Sequence, residues 1–157
     1  SQLVFPCKDI MDFAASTNTL VVVADSRILV YEQEEEEDVN YRRRRPGTWE
    51  LKAQFEDLLQ KDSFYRVAIG EDHVFVVSGL ISPNRGGAFV FERTTADAHD
   101  SSSWKQVQPP LELGQGETEN FGFGVAMVSD HTILANTFGR DSNLLVFHQS
   151  PAVLEND

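Results

Sequence analysis

A length of 157 residues suits one domain with a substantial buried core. Hydrophobic residues make up 41% of the chain and charged residues 24%, which excludes disorder throughout. With 25 acidic and 13 basic residues, the net charge of −12 repels phosphate backbones and anionic membrane surfaces, so no nucleic-acid partner is expected.

The single Cys7 excludes an internal disulfide and says nothing about compartment. No charged stretch followed by an apolar core stands near the start, so no signal peptide is expected in this stretch. No run approaches the roughly 18 apolar residues of a spanning helix, so no membrane insertion is expected.

Taken in chain order, the first apolar run is Leu3-Val4-Phe5, cut off by Pro6, which suits a strand end or an edge. Phe13-Ala14-Ala15 and Leu20 to Ala24 follow, separated by the turn residues Thr17-Asn18. A third run covers Arg27 to Gln33. A fourth, Thr48 to Ala53, alternates apolar and polar residues as a half-exposed strand does. Phe55-Glu56-Asp57-Leu58-Leu59 has the spacing of one helical turn.

The same order then returns. Val67-Ala68-Ile69 precedes Val74 to Ser78, then Gly87 to Arg93, then Ser103 to Val107. Val125-Ala126-Met127 precedes Thr132 to Asn136 and Asn143 to Gln149, with no fourth run after them. Met11 to Ala24 aligns without a gap to Tyr65 to Ser78 and to Phe123 to Asn136, at offsets of 54 and 58 residues. A period of that length marks an array of supersecondary units.

The second and third runs of each unit are continuous, β-branched and aromatic, as in strands covered on both faces. Buried inner strands beside one solvated strand describe the blade of a β-propeller. The expected fold class is therefore all-β, with blades of four antiparallel strands. The chain is expected to form a single array over 1–157, with units at about 8–60, 61–115 and 116–149. Segment 1–7 would be an outer strand of another blade.

Phe121-Gly122-Phe123-Gly124-Val125-Ala126-Met127 with Asp130 resembles the FG-GAP repeat of integrin α-chain-like propellers. So does the second unit, from Val67-Ala68-Ile69-Gly70-Glu71-Asp72 through Gly87 to Arg93 and Trp104. The resemblance implies a seven-bladed propeller and an extracellular or cell-surface location. The first two units depart from it, with Met11-Asp12 and Ser63-Phe64 near the place of the name motif. The family's calcium loop requires oxygen ligands at alternating positions. No Asp-x-Asp-x-Asp run occurs here, so neither calcium nor any other metal or cofactor is expected.

Propellers have four to eight blades, and fewer than three complete units are readable. Three explanations stay open. The chain is a segment of a longer propeller, an open stack with capped ends, or a unit that completes a ring by self-association. The terminal units are expected to expose apolar faces and unpaired edges, so the isolated chain is expected to associate.

The loudest local feature is Glu34-Glu35-Glu36-Glu37-Asp38 followed by Arg42-Arg43-Arg44-Arg45, between the third and fourth runs of the first unit. It reads either as an interaction loop or as a solvated loop whose opposite blocks neutralise each other. Asp97, His99, Asp100 and Ser101 contain the letters of a triad, but on one polar loop without an orienting scaffold. His73 and His131 stand beside Asp72 and Asp130, and two-residue hairpin turns explain both. Pro46-Gly47-Thr48-Trp49 lacks the Asp of a sialidase Asp-box.

Trp49 and Trp104 are expected packing anchors. Gly86-Gly87, Gly122 and Gly124 precede strands and therefore hold no phosphate. Asp12, Arg66 and Gly124, at one position of the three first runs, make no repeated catalytic set. The expected function is a non-catalytic module presenting loops to a protein or glycan partner. The alternatives are a hydrolase or lyase domain and a structural part of a larger assembly.

Overall fold

A computed structural model describes residues 8–33, 48–60, 63, 65–71, 73–82, 85–94, 104–112, 121–137 and 142–148. These residues form strands β1 (Ile10–Ala15), β2 (Thr19–Ala24), β3 (Arg27–Gln33) and β4 (Trp49–Phe55). There follow β5 (Tyr65–Ile69), β6 (Val74–Ser82), β7 (Arg85–Arg93) and β8 (Trp104–Glu112). The last are β9 (Phe121–Ser129), β10 (Thr132–Thr137) and β11 (Leu144–His148). No helix occurs among the described residues.

The fold is all-β. Three antiparallel sheets run in sequence order, β1 to β4, β5 to β8, and β9 to β11. Asp25 and Ser26 turn β2 into β3 with φ of 50° and 62°, two successive left-handed residues as a tight hairpin demands. The helical turn expected over Phe55 to Leu59 does not form. Phe55 closes β4, and Asp57 has φ of 60°, outside the right-handed helical region.

The sheets stack as an open series in which β1 lies against β5, and β5 against β9. Between sheets one and two, Val21, Val23, Ile28 and Val30 meet Tyr65, Val67, Phe75, Val77, Phe89 and Phe91. Between sheets two and three, Val74, Val76, Ala88 and Val90 meet Ile133 and Ala135, with Val125 and Met127 beside them. The middle sheet is thus covered on both faces, which is why its strands carry uninterrupted apolar runs.

The hydrogen-bond register corrects the gapless alignment of the first unit. Ala14 pairs with Val21 and Val21 with Val30, whereas Ala68 pairs with Val76 and Val76 with Val90. Ala14 therefore corresponds to Ala68, but Val21 corresponds to Val76, one residue further along. The first hairpin is one residue shorter, closed by Ser16 N–H to Thr19 C=O, where Gly70 N–H reaches Val74 C=O in the second. A one-residue slip exchanges the faces of a strand. With the slip included, Val21, Val23, Ile28 and Val30 play toward sheet two the part that Val76, Ala88 and Val90 play toward sheet three.

The outer faces are apolar as well. On sheet one, Val22, Ala24, Leu29 and Tyr31 are buried with Leu20 and Trp49 beside them, while Phe13 is 65% and Leu51 50% exposed. On sheet three, Val128, Leu144 and Val146 are all more than half exposed. Light scattering over rising protein concentration should therefore report association. A mass that stays at 17.6 kDa throughout would contradict this.

Candidate functional site

The nine charged residues of the expected interaction loop, Glu34 to Asp38 and Arg42 to Arg45, lie outside the described residues. So do Asp97, His99, Asp100, Ser101, Asp72 and Cys7. The roots of the two long loops are described. Gln33 pairs with Trp49 across β3 and β4, and Arg93 pairs with Trp104 across β7 and β8. Both loops therefore leave adjacent strands of their sheets at equivalent positions.

A buried carboxylate joins these roots. Glu32, 8% exposed, accepts a hydrogen bond at Oε1 from Trp104 Nε1 at 2.7 Å. Its Oε2 accepts one from Arg93 Nη2 at 3.0 Å. β3 sets Glu32 on the face that carries Ile28 and Val30, because alternate residues share a face. β7 and β8 set Arg93 and Trp104 opposite it. Burying a carboxylate without hydrogen-bond donors is costly, and two strong donors are supplied here. Trp104 is thus a hydrogen-bonded joint between sheets as well as a packing anchor, whereas Trp49 is half-buried on the outer face.

Toward the first strands, the polar groups serve the backbone. Asp12 Oδ2 accepts from Val67 N–H at 3.0 Å, tying β1 to β5. The Arg66 guanidinium is directed to the Tyr65 carbonyl at 3.2 Å, and Gly124 N–H donates to Asn136 Oδ1. Asp130 Oδ1 accepts from Glu71 N–H at 2.7 Å, linking sheets three and two. His73 and His131 are both exposed, and their turns differ. His73 C=O accepts from Arg93 N–H, and His131 N–H meets Ser129 Oγ at 3.3 Å. Among the described residues no three His, Cys, Asp or Glu side chains gather into a metal-holding group.

Gly70 is required by the approach of Asp130. A Cβ there would collide with Asp130 Oδ1, so Gly70→Ala must displace the carboxylate from Glu71 N–H. The expected loss is about 1 kcal/mol. In an Asp130→Ala background the same substitution should cost far less, a non-additivity that urea melts of the two single variants and the double variant would detect.

Tyr65 is buried, with its hydroxyl 2.9 Å from Gln60 C=O and 2.8 Å from Leu80 C=O. Burial pushes its phenol above the ordinary tyrosine value, against an opposing hydrogen bond at Gln60. The folded state therefore favours the protonated ring. That stabilisation is whole below the unfolded value of about 10, and is lost as pH rises through the raised folded value. Thermal melts should show an alkaline loss of stability that is shallower in Tyr65→Phe.

No protein-family model matches the chain, and no curated protein or solved structure shows significant similarity to it.

Proposed function

We propose that the chain is a non-catalytic interaction module built of β-propeller blades of the FG-GAP type, binding a protein or glycan partner through its long loops. The observation that carries this reading is the ordered series of sheets. The first strands lie side by side, each sheet meets the next with the same kind of face, and the β3–β4 and β7–β8 loops leave equivalent corners. Blades set around an axis have this arrangement, and propellers bind through the loops at their rims.

The polar residues of the first strands support a binding role over an enzymatic one. Asp12 and Gly124 are hydrogen-bonded to neighbouring backbone or side-chain groups, and Arg66 leans on its neighbour's carbonyl. Glycan and peptide arrays probed with the chain test the reading. Signal that vanishes when 34–45 is replaced by a Gly-Ser linker supports it. Turnover of a glycoside or ester that is lost in Arg66→Ala would replace it with an enzyme.

A further inference from the structure

The two buried interfaces use equivalent positions of equivalent strands, so they compare residue by residue. Ala68 pairs with Val76 and Val76 with Val90 in sheet two, as Ala126 pairs with Leu134 and Leu134 with Val146 in sheet three. On the opposite face, which each sheet turns to the one before it, Phe75 therefore corresponds to Ile133 and Val77 to Ala135. Phe89 likewise corresponds to Leu145, and Phe91 to Phe147.

At all but the last of these positions sheet three has the smaller side chain, and burial follows size. Phe75, Val77 and Phe91 are shut off from solvent and Phe89 nearly so, whereas Leu145 and Phe147 are only partly buried. The receiving faces differ in the same sense. Ile28 and Val23 of sheet one stand where sheet two has Ala88 and Ser78, while Val74 in place of Thr19 restores one methyl group. Attachment between sheets scales with the apolar area removed from water. Sheet two is therefore held on sheet one more firmly than sheet three is held on sheet two.

The polar ties differ in kind. Sheets one and two share the buried Glu32 carboxylate, bonded to Trp104 and Arg93, and the Asp12 bond to Val67 N–H. Sheet three reaches sheet two through Asp130 Oδ1, which accepts Glu71 N–H at 2.7 Å in an exposed place. Gly70 leaves room for that carboxylate.

We propose that sheet three is a flap that opens as a unit, latched to sheet two by Asp130, while sheets one and two stay joined. Units of this kind open at free energies below that of global unfolding. Opening bares the apolar strip of Val74, Val76, Ala88 and Val90. A ligand for that strip meets it only in the open state and shifts the flap toward opening. The flap stands whether or not the long loops bind a partner.

The test is native-state hydrogen exchange of the full chain over rising urea. The hydrogen-bonded amides of β10 should exchange together, roughly a hundredfold faster than those of β3 and β6. Their urea dependence should be shallower, because flap opening exposes less surface than unfolding does. Glu32→Gln weakens a joint that the open flap retains. It should speed exchange in β3 and β6 about tenfold and leave β10 at its own rate. Asp130→Ala removes a bond that opening breaks and should speed β10 several-fold, whereas Asp130→Asn keeps an acceptor oxygen and should stay near the parent.

Equal exchange of β3, β6 and β10 with one urea dependence would make the molecule a single cooperative unit and overturn the proposal. Glu32→Gln speeding all three strands by the same factor would overturn it too, as would Asp130→Ala leaving β10 unchanged. The parent chain alone decides whether the flap exists, even where a variant fails to fold.

Discussion

Phe91→Ala is expected to lower the free energy of unfolding by about 3–5 kcal/mol. The ring is inaccessible to solvent, stacks on Phe75 with centroids 4.6 Å apart at 11°, and meets Phe55 at 4.6 Å and 49°. These three rings come from β4, β6 and β7, so one deletion loosens a sheet and its contact with the next at once. Collapse around the cavity is limited because Phe75 is also held against Trp104, 5.1 Å away. A single domain is stable by only about 5–15 kcal/mol, so the loss is a large part of the whole. Urea melts followed by circular dichroism measure it. A cost below that of Phe55→Ala, whose ring is only half-buried, would show that the sheets are joined elsewhere.

Glu32→Ala comes next, with an expected loss of about 2–3 kcal/mol. It leaves the Trp104 N–H without its acceptor in a buried place and removes the counter-charge of Arg93. The arginine side chain is 37% exposed and can turn to water, so the indole supplies most of the cost. Glu32→Gln keeps an acceptor oxygen and should lose about half as much. Trp104 reports locally, because its emission should move to the red in Glu32→Ala as water reaches the ring. An unshifted spectrum with unchanged stability would mean that the carboxylate does not join the sheets.

The strands were legible because their apolar runs are long and their turns carry Asn, Asp and Gly. The first residues of β4 and β8, Trp49 and Trp104, fall within one residue of the expected starts. The register of the first sheet was not legible. Val21-Val22-Val23 is uniform, so a shift of one residue sets valine on valine and leaves no phase to detect. Glu32 was hidden for a different reason. At the end of an apolar run it reads as a solvated charge, and only residues 61 and 72 positions later bury it. The two tryptophans looked alike because each opens a fourth strand, and the difference lies in whether a preceding sheet supplies a carboxylate.

The shortened first hairpin also governs how these units can be exchanged or averaged. A consensus unit drawn from the three copies column by column would blend residues that point in opposite directions, and its second strand would belong to neither face. A chimera with the second unit in place of the first needs the whole Tyr65–Ser78 hairpin, loop included, rather than matched positions. The copies are interchangeable as hydrogen-bonded hairpins and not as strings of letters, so a graft has to be cut by register.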